Sequence, residues 1–210
     1  THILFMRILL VRHAQTIENA EHRFQGHIHG RLSALGKRQT KALALALENE
    51  KIDYFFGSPL DRARDTLEAI RKNHPHIEAV FTDDLKERGK GVWEGRFVRE
   101  AYAENPRLRE NMRNKAYRPE KGESLLDVRR RLKRFLKIIS GVDDESTILI
   151  TGHGILNGEL LRLLLKTEGH FSQQNACVNE IWWEKSGTYV VKLNDVSHLK
   201  KLGLGNSRGY

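Results

Sequence analysis

Cysteine is almost absent: Cys177 is the only one in 210 residues. No intrachain disulfide can form, and nothing points to a small secreted domain held by cross-links. Proline is scarce too, at four, and no Pro/Gly-rich linker or internal repeat divides the chain. Long apolar runs are missing: ILFMRILLV, at 3–11, is broken by Arg7 and is far shorter than a membrane span. It lacks the small-residue cleavage site of a secretory signal and runs straight into Arg12 and His13. A strand is expected there, with no membrane contact and a cytoplasmic location; Met6 is the expected natural start. Acidic residues are in deficit, 27 against 36 Lys+Arg, giving a net charge of +9. That surplus suits a phosphate-bearing ligand or a polynucleotide, and bears on partners rather than fold.

What is present reads as one ordinary globular domain, 39% hydrophobic and 30% charged. The runs at 3–11, 52–56 and 147–151 are short, β-rich and nearly continuous, as strands buried on both faces are. Helical patterns cover 35–49, 60–72, 124–139 and 154–165, the third with Leu125, Val128, Leu132, Phe135 and Ile139 at helical spacing. VNEIWWE and TYVVKLN, separated by KSG, read as a hairpin. Alternating strands and helices predict a three-layer α/β domain over 1–198, its sheet mostly parallel with helices on both faces. The residues from 199 to 210 are expected to form a loose tail.

In such sheets ligands bind beyond the carboxyl ends of the strands. Three strands end at Arg12-His13, at Gly57-Ser58 with Arg62 soon after, and at Gly152-His153. Two imidazoles and two guanidiniums are therefore expected along one edge. Guanidinium forks match phosphate oxygens, and a neutral imidazole can accept a phosphoryl group and pass it to water. Flanking arginines would keep His13 neutral. If they neutralise the phosphate, no metal or cofactor is needed. A leaving alkoxide needs a proton, and LKERGKGVWEG at 85–95 offers Glu87 or Glu94.

At this point the chain resembles the histidine phosphatase superfamily, the group that includes cofactor-dependent phosphoglycerate mutases and acid phosphatases. The matches run in order from about residue 6 to 195: Arg12-His13-Ala14, Asn19, RFQGHIHGRLSALG (23–36), SPLDRARDT (58–66), LKERGKGVWEG, GES (122–124) and TGHG (151–154). Each is weak alone; the order makes them specific. The resemblance implies a phosphoglycerate mutase-like fold, His13 as the phosphorylated nucleophile and Glu87 as proton donor. It implies a phosphate pocket of Arg12, Arg62 and His153, with Asn19, Gln25 and the backbone at Gly154 as supporting contacts. Ala14 stands where glycine is usual, and His29 where an acid is common. Hydrolysis is favoured over mutase chemistry because residues 96–121 have no adjacent arginines and only Pro106 and Pro119, and because WEG follows the acid.

Plainer readings stand beside these. His13 alone is more often a satisfied structural histidine, and Arg62 alone a solvated charge. Ser124 is expected to cap the helix starting at Leu125, with Asp127 as its N3 acid. His27, His29, His74 and His76 read as surface histidines rather than metal ligands. Of Trp182 and Trp183, on opposite faces of a strand, one is expected in the core. Arg129, Arg130, Arg131, Lys133 and Arg134 read as a solvated helix face. Residues 107–121 hold six basic and two acidic residues, and 96–121 is expected to form a cationic lid favouring substrates with further charge. Nucleic-acid binding ranks low, since no recognition module is present and the basic residues are dispersed. A homodimer through an open sheet edge is compatible with the sequence.

Overall fold

The computed structural model describes residues 5–184 and 187–204. Its centre is a six-stranded sheet in the order β3-β2-β4-β1-β5-β6. β1 (Met6–Arg12), β2 (Tyr54–Gly57), β3 (Ala79–Phe81) and β4 (Thr147–Gly152) run parallel; β5 (Val178–Trp183) and β6 (Thr188–Asp195) close one side antiparallel. The sheet is thus mixed, and its parallel part is the part the apolar runs predict. The hairpin forms, but Lys185 and Ser186 of its KSG turn lie outside the described residues.

Alternation along the strands builds two cores. Leu9, Val11, Phe55 and Leu149 point to one face, where α2 (Ala34–Ala46) and α3 (Asp61–Arg71) pack. Ile8, Leu10, Phe56, Ile148 and Ile150 point to the other, covered by α6 (Leu125–Ile139) and α7 (Gly154–Leu165). α6 buries Val128, Leu132, Phe135 and Ile139, each contributing about 1.5–3 kcal/mol of burial free energy. It begins at the expected capping box: the Ser124 hydroxyl accepts from the Asp127 amide, while the Asp127 carboxylate accepts from the Ser124 amide at 2.9 Å. Four short helices have no clear apolar period in the sequence: α1 (Ile17–Ala20), α4 (Val98–Glu104), α5 (Leu108–Arg113) and α8 (Ser197–Lys200).

Three expectations are corrected. The chain does not loosen at Leu199: Leu199 and Leu204 are buried in the first core, because their side chains cover apolar surface beside α2. Residues 205–210 lie outside the described set. Arg131 is not on a solvated face; it is 6% exposed and paired with Glu123. Neither tryptophan is fully buried, although Trp183 packs against the second core while Trp182 stacks on Phe5.

Topology then places the site. β1 and β4 are parallel neighbours, with Arg12 opposite Gly152. α2, the long helix after β1, packs on one face and α7, after β4, on the other, so the chain parts at the carboxyl ends of the two strands and leaves a crevice.

Candidate active site

His13 and His153 face each other across that crevice, ring centroids 5.2 Å apart. The His13 amide donates to the Gly152 carbonyl at 3.1 Å, extending the ladder by one step. Both imidazoles are buried. His13 Nδ1 lies 2.7 Å from the carbonyl oxygen of Ala14; a carbonyl only accepts, so Nδ1 carries the proton and Nε2 keeps its lone pair. Burial, with Arg62 and Arg12 nearby, holds the His13 imidazole well below its ordinary pKa. Burial, Arg62 and His13 do the same to His153. The rings are therefore neutral around pH 7.

Arg62, on the first turn of α3, is fully buried. Its Nη1 donates to the carbonyls of Ile28 and His29, and its Nη2 to that of Gly26 at 2.8 Å. The loop can curl around the guanidinium because Gly26 takes φ +55°, where a Cβ would lie 2.1 Å from Glu94 Oε1. Burial pushes the Arg62 pKa down to about 10, still charged at neutral pH. Arg12 donates from Nη1 to the Gln173 carbonyl. Arg12 Nε, Arg62 Nε and both ring nitrogens of His153 are buried with no hydrogen-bond partner among the described residues. Unpaired buried polar groups are costly, and these belong to residues gathered at the same cleft. The arrangement is a ready cradle for a tetrahedral anion.

Of the two candidate acids, Glu87 reaches the crevice. Its Oε2 accepts from the Ile155 amide and its Oε1 from the Leu156 amide, both at 3.1 Å, at the N-terminus of α7. Glu94 does a different job: its Oε1 accepts from the amides of His27 and Lys90 and clamps the Gly26 loop. The Glu87 backbone is itself held, since its carbonyl accepts from His27 Nε2 at 2.8 Å and Arg131 Nη2 at 3.0 Å. His27 is thus no idle surface histidine. Its ring also lies 3.3 Å from the Glu123 carboxylate, and the hydrogen bond to Glu123 raises its pKa against the effect of burial.

Arg12, His13, Asn19, Gln25, Arg62, Glu87 and Gly154 all line one cleft of about 1290 Å³, with His153 beside His13. Asn19 and Gln25 also serve the loop: Asn19 Oδ1 accepts from the Thr16 amide and Asn175 Nδ2, and Gln25 Oε1 from the Thr16 hydroxyl. Gly154 passes the Arg12 guanidinium, where a Cβ would lie 3.6 Å from Cζ. Sequence reasoning missed His27, Lys90, Glu123 and Arg131. Only GES carried a signal, and it was assigned to helix capping alone. Residues 96–121 carry α4 and α5 over the cleft, resting on a small cluster of Trp93, Ala101, Leu108, Phe24, Tyr102 and Met112. Arg113 lines the cleft; Arg118 turns away to Asp127, at 2.7 Å.

Comparison with known proteins agrees with this geometry. The family model of the histidine phosphatase superfamily (branch 1) matches residues 8–196. Phosphoserine phosphatase 1 of Hydrogenobacter thermophilus is 31% identical over 203 residues, covering 92% of this chain and 94% of its own. Probable phosphoglycerate mutase GpmB of Yersinia enterocolitica is 28% identical over 205 residues, with coverage of 92% and 95%. Among solved structures, YhfR of Bacillus stearothermophilus superposes with a TM-score of 0.84 at 25% identity, over 92% of this chain and 99% of that one.

Proposed function

The chain belongs to the histidine phosphatase superfamily and is a phosphatase of small phosphorylated metabolites, and from that premise we propose that it works through a phosphohistidine on His13. One observation carries the reading: the Nδ1 proton of His13 is spent on the Ala14 carbonyl, leaving an Nε2 lone pair among cations and unpartnered donors. The substrate phosphate lies between Arg12, Arg62 and His153, whose nitrogens take up its equatorial oxygens. Nε2 attacks phosphorus in line while the P–O bond to the alcohol breaks, and the departing oxygen takes its proton from the Glu87 carboxyl. Water then attacks the phosphohistidine as the Glu87 carboxylate takes its proton. The P–N bond breaks, and inorganic phosphate leaves. Charge neutralisation falls to the arginines, the positioning and electrostatic task phosphoryl transfer demands. Asn19, Gln25 and the Gly154 backbone border the bound phosphate.

Segment 96–121 is the lid of this reading, with Arg113 facing the cleft. Mutase activity has the similarity to the Yersinia protein behind it; the lack of adjacent arginines in 96–121 favours water as acceptor. No described helix is long and apolar enough to cross a membrane. No nucleic-acid role is part of the proposal. A second copy of this chain would pair along β6, where Tyr189, Val190, Val191 and Leu193 are exposed.

Hydrolysis of p-nitrophenyl phosphate with EDTA present, by wild type and His13→Ala, tests the proposal. Turnover lost in the variant is expected. Turnover that survives in His13→Ala would remove the phosphohistidine. Rapid formation of 2-phosphoglycerate from 3-phosphoglycerate with trace 2,3-bisphosphoglycerate would replace hydrolysis by mutase chemistry.

A further inference from the structure

We infer that Lys90 reads a carboxylate on the leaving portion of the substrate, so that the preferred substrates are phosphomonoesters of hydroxy acids. The inference rests on the phosphatase reading and extends it to substrate class. Lys90 lies three residues beyond Glu87, lines the same cleft and is 7% exposed. Its ammonium has no hydrogen bond or ion pair among the described residues. Its recorded neighbour is the Phe24 ring, 5.8 Å to the centroid.

Several other cations of this region are spent, while Arg99, Arg109 and Arg113 line the cleft farther from Glu87 in sequence and have no ion pair among the described residues. Arg129 pairs with Glu159 and Glu168, Lys115 with Glu168, and Arg131 with Glu123. Arg88 gives all three of its nitrogens to the carbonyls of Glu123, Met112 and Tyr117. The carboxylates near Lys90 are engaged as well, Glu87 by the amides of α7 and Glu94 by those of His27 and Lys90 itself. That last bond, at 2.8 Å, pins the Lys90 backbone. A largely desolvated ammonium with no ion pair carries a cost, and an incoming carboxylate relieves it. Phe24, Tyr102 and Met112 supply an apolar wall beside it, which strengthens a charged contact by excluding water. The transferred phosphate has its own cradle, and Lys90, pinned on the same loop as Glu87, is placed for a group on the alcohol side of the ester.

The charges facing Lys90 are Arg88, Glu87 and Glu94 of its own loop; across it pack the Phe24 ring and the backbone of Gly122. Burial, aided by Arg88 and opposed by the two acids, pushes its pKa down to about 8. Recognition through this ammonium therefore fades as pH rises through about 8.

The test is the ratio of kcat/KM for 3-phosphoglycerate to that for glycerol 3-phosphate, which differ only in a carboxylate against a hydroxymethyl group. In wild type the ratio is expected to exceed about ten, the effect of one charged hydrogen bond, and to fall above pH 8. Lys90→Met should lower it about tenfold or more. Lys90→Arg should retain part of the preference and lose the fall above pH 8, since guanidinium stays charged. A wild-type ratio near one that is flat with pH would overturn the inference without any variant. So would a Lys90→Met enzyme that loses both substrates equally. Absence of p-nitrophenyl phosphate turnover in wild type would instead bring down the phosphatase reading itself.

Discussion

The Arg131 guanidinium meets the Glu123 carboxylate side-on, Nε to Oε1 and Nη2 to Oε2, each at 3.1 Å. The pair bolts the start of α6 to the loop bearing the acid, because Arg131 also donates to the Glu87 carbonyl and Glu123 accepts from the Gly89 amide at 2.9 Å. Burial works against the charge of Glu123, yet hydrogen bonds from His27, Arg131 and Gly89 hold its carboxyl at about 2. Glu123→Gln leaves Arg131 buried without a counter-charge. A loss of about 2–3 kcal/mol is expected, discounted for the partial exposure of Glu123. The urea midpoint measures it, and kcat should fall more than KM rises as Glu87 drifts. The depressed carboxyl adds stability that is whole above the unfolded value near 4.3 and is lost as pH falls towards 2. The variant should therefore show a shallower acid limb. An unchanged midpoint would dismiss the bolt.

His13 and His153 act on stability with the same pH sign but in a higher window. Burial first, then Arg62, depress both imidazoles in the folded state. Below the unfolded value near 6.5 the unfolded chain binds protons that the folded chain refuses, so stability falls as pH drops. Each ring adds a slope of up to about 1.4 kcal/mol per pH unit. Urea titrations between pH 7 and 5 in phosphate-free buffer should show this slope, and His153→Gln should roughly halve it. Equal slopes in variant and wild type would mean that His153 adds nothing to the pH dependence.

Arg88 secures the segment over the cleft. It is 1% exposed, and Arg88→Met strands the carbonyls of Met112, Tyr117 and Glu123. At about 1–3 kcal/mol for each buried unsatisfied group, stability should fall by roughly 3 kcal/mol or more. Limited trypsinolysis should cut within 107–121 at least about ten times faster, with Arg88→Lys between the two. Identical digestion of variant and wild type would show that the segment is held by other contacts.

Much of this was legible in the chain. β1, β2 and β4 are buried on both faces and read as continuous apolar runs; α6 and α7 carry their own period. Strand ends then foretold Arg12, His13, Arg62 and His153 together, because the edge of a parallel sheet is set by chain direction. What escaped was carried by long-range pairing. Helical spacing puts Arg131, three after Val128 and four before Phe135, at the edge of the apolar stripe and Arg130 opposite it, but nothing local names Glu123 as the partner that one meets while the other stays exposed. His27 looks like its neighbour His29 until the Glu87 loop comes to rest against it. Leu199 and Leu204 seemed part of a polar tail because two buried leucines are too few to make a pattern.

His13 and His153 stand 140 positions apart in the chain yet one ladder step apart in space, since Arg12 and Gly152 are register partners. Side chains alternate along a strand, so deleting one residue inside β1 or β4 swings its histidine to the far face or out of line. The stretches between the elements carry no such constraint. Loops beyond the strand ends can lengthen, shorten or be exchanged while the two rings keep their places. The two imidazoles are thereby insulated from segment 96–121, so this chain can change what covers the leaving group by exchanging that segment, whereas Lys90 and Glu87 share one loop and must change together.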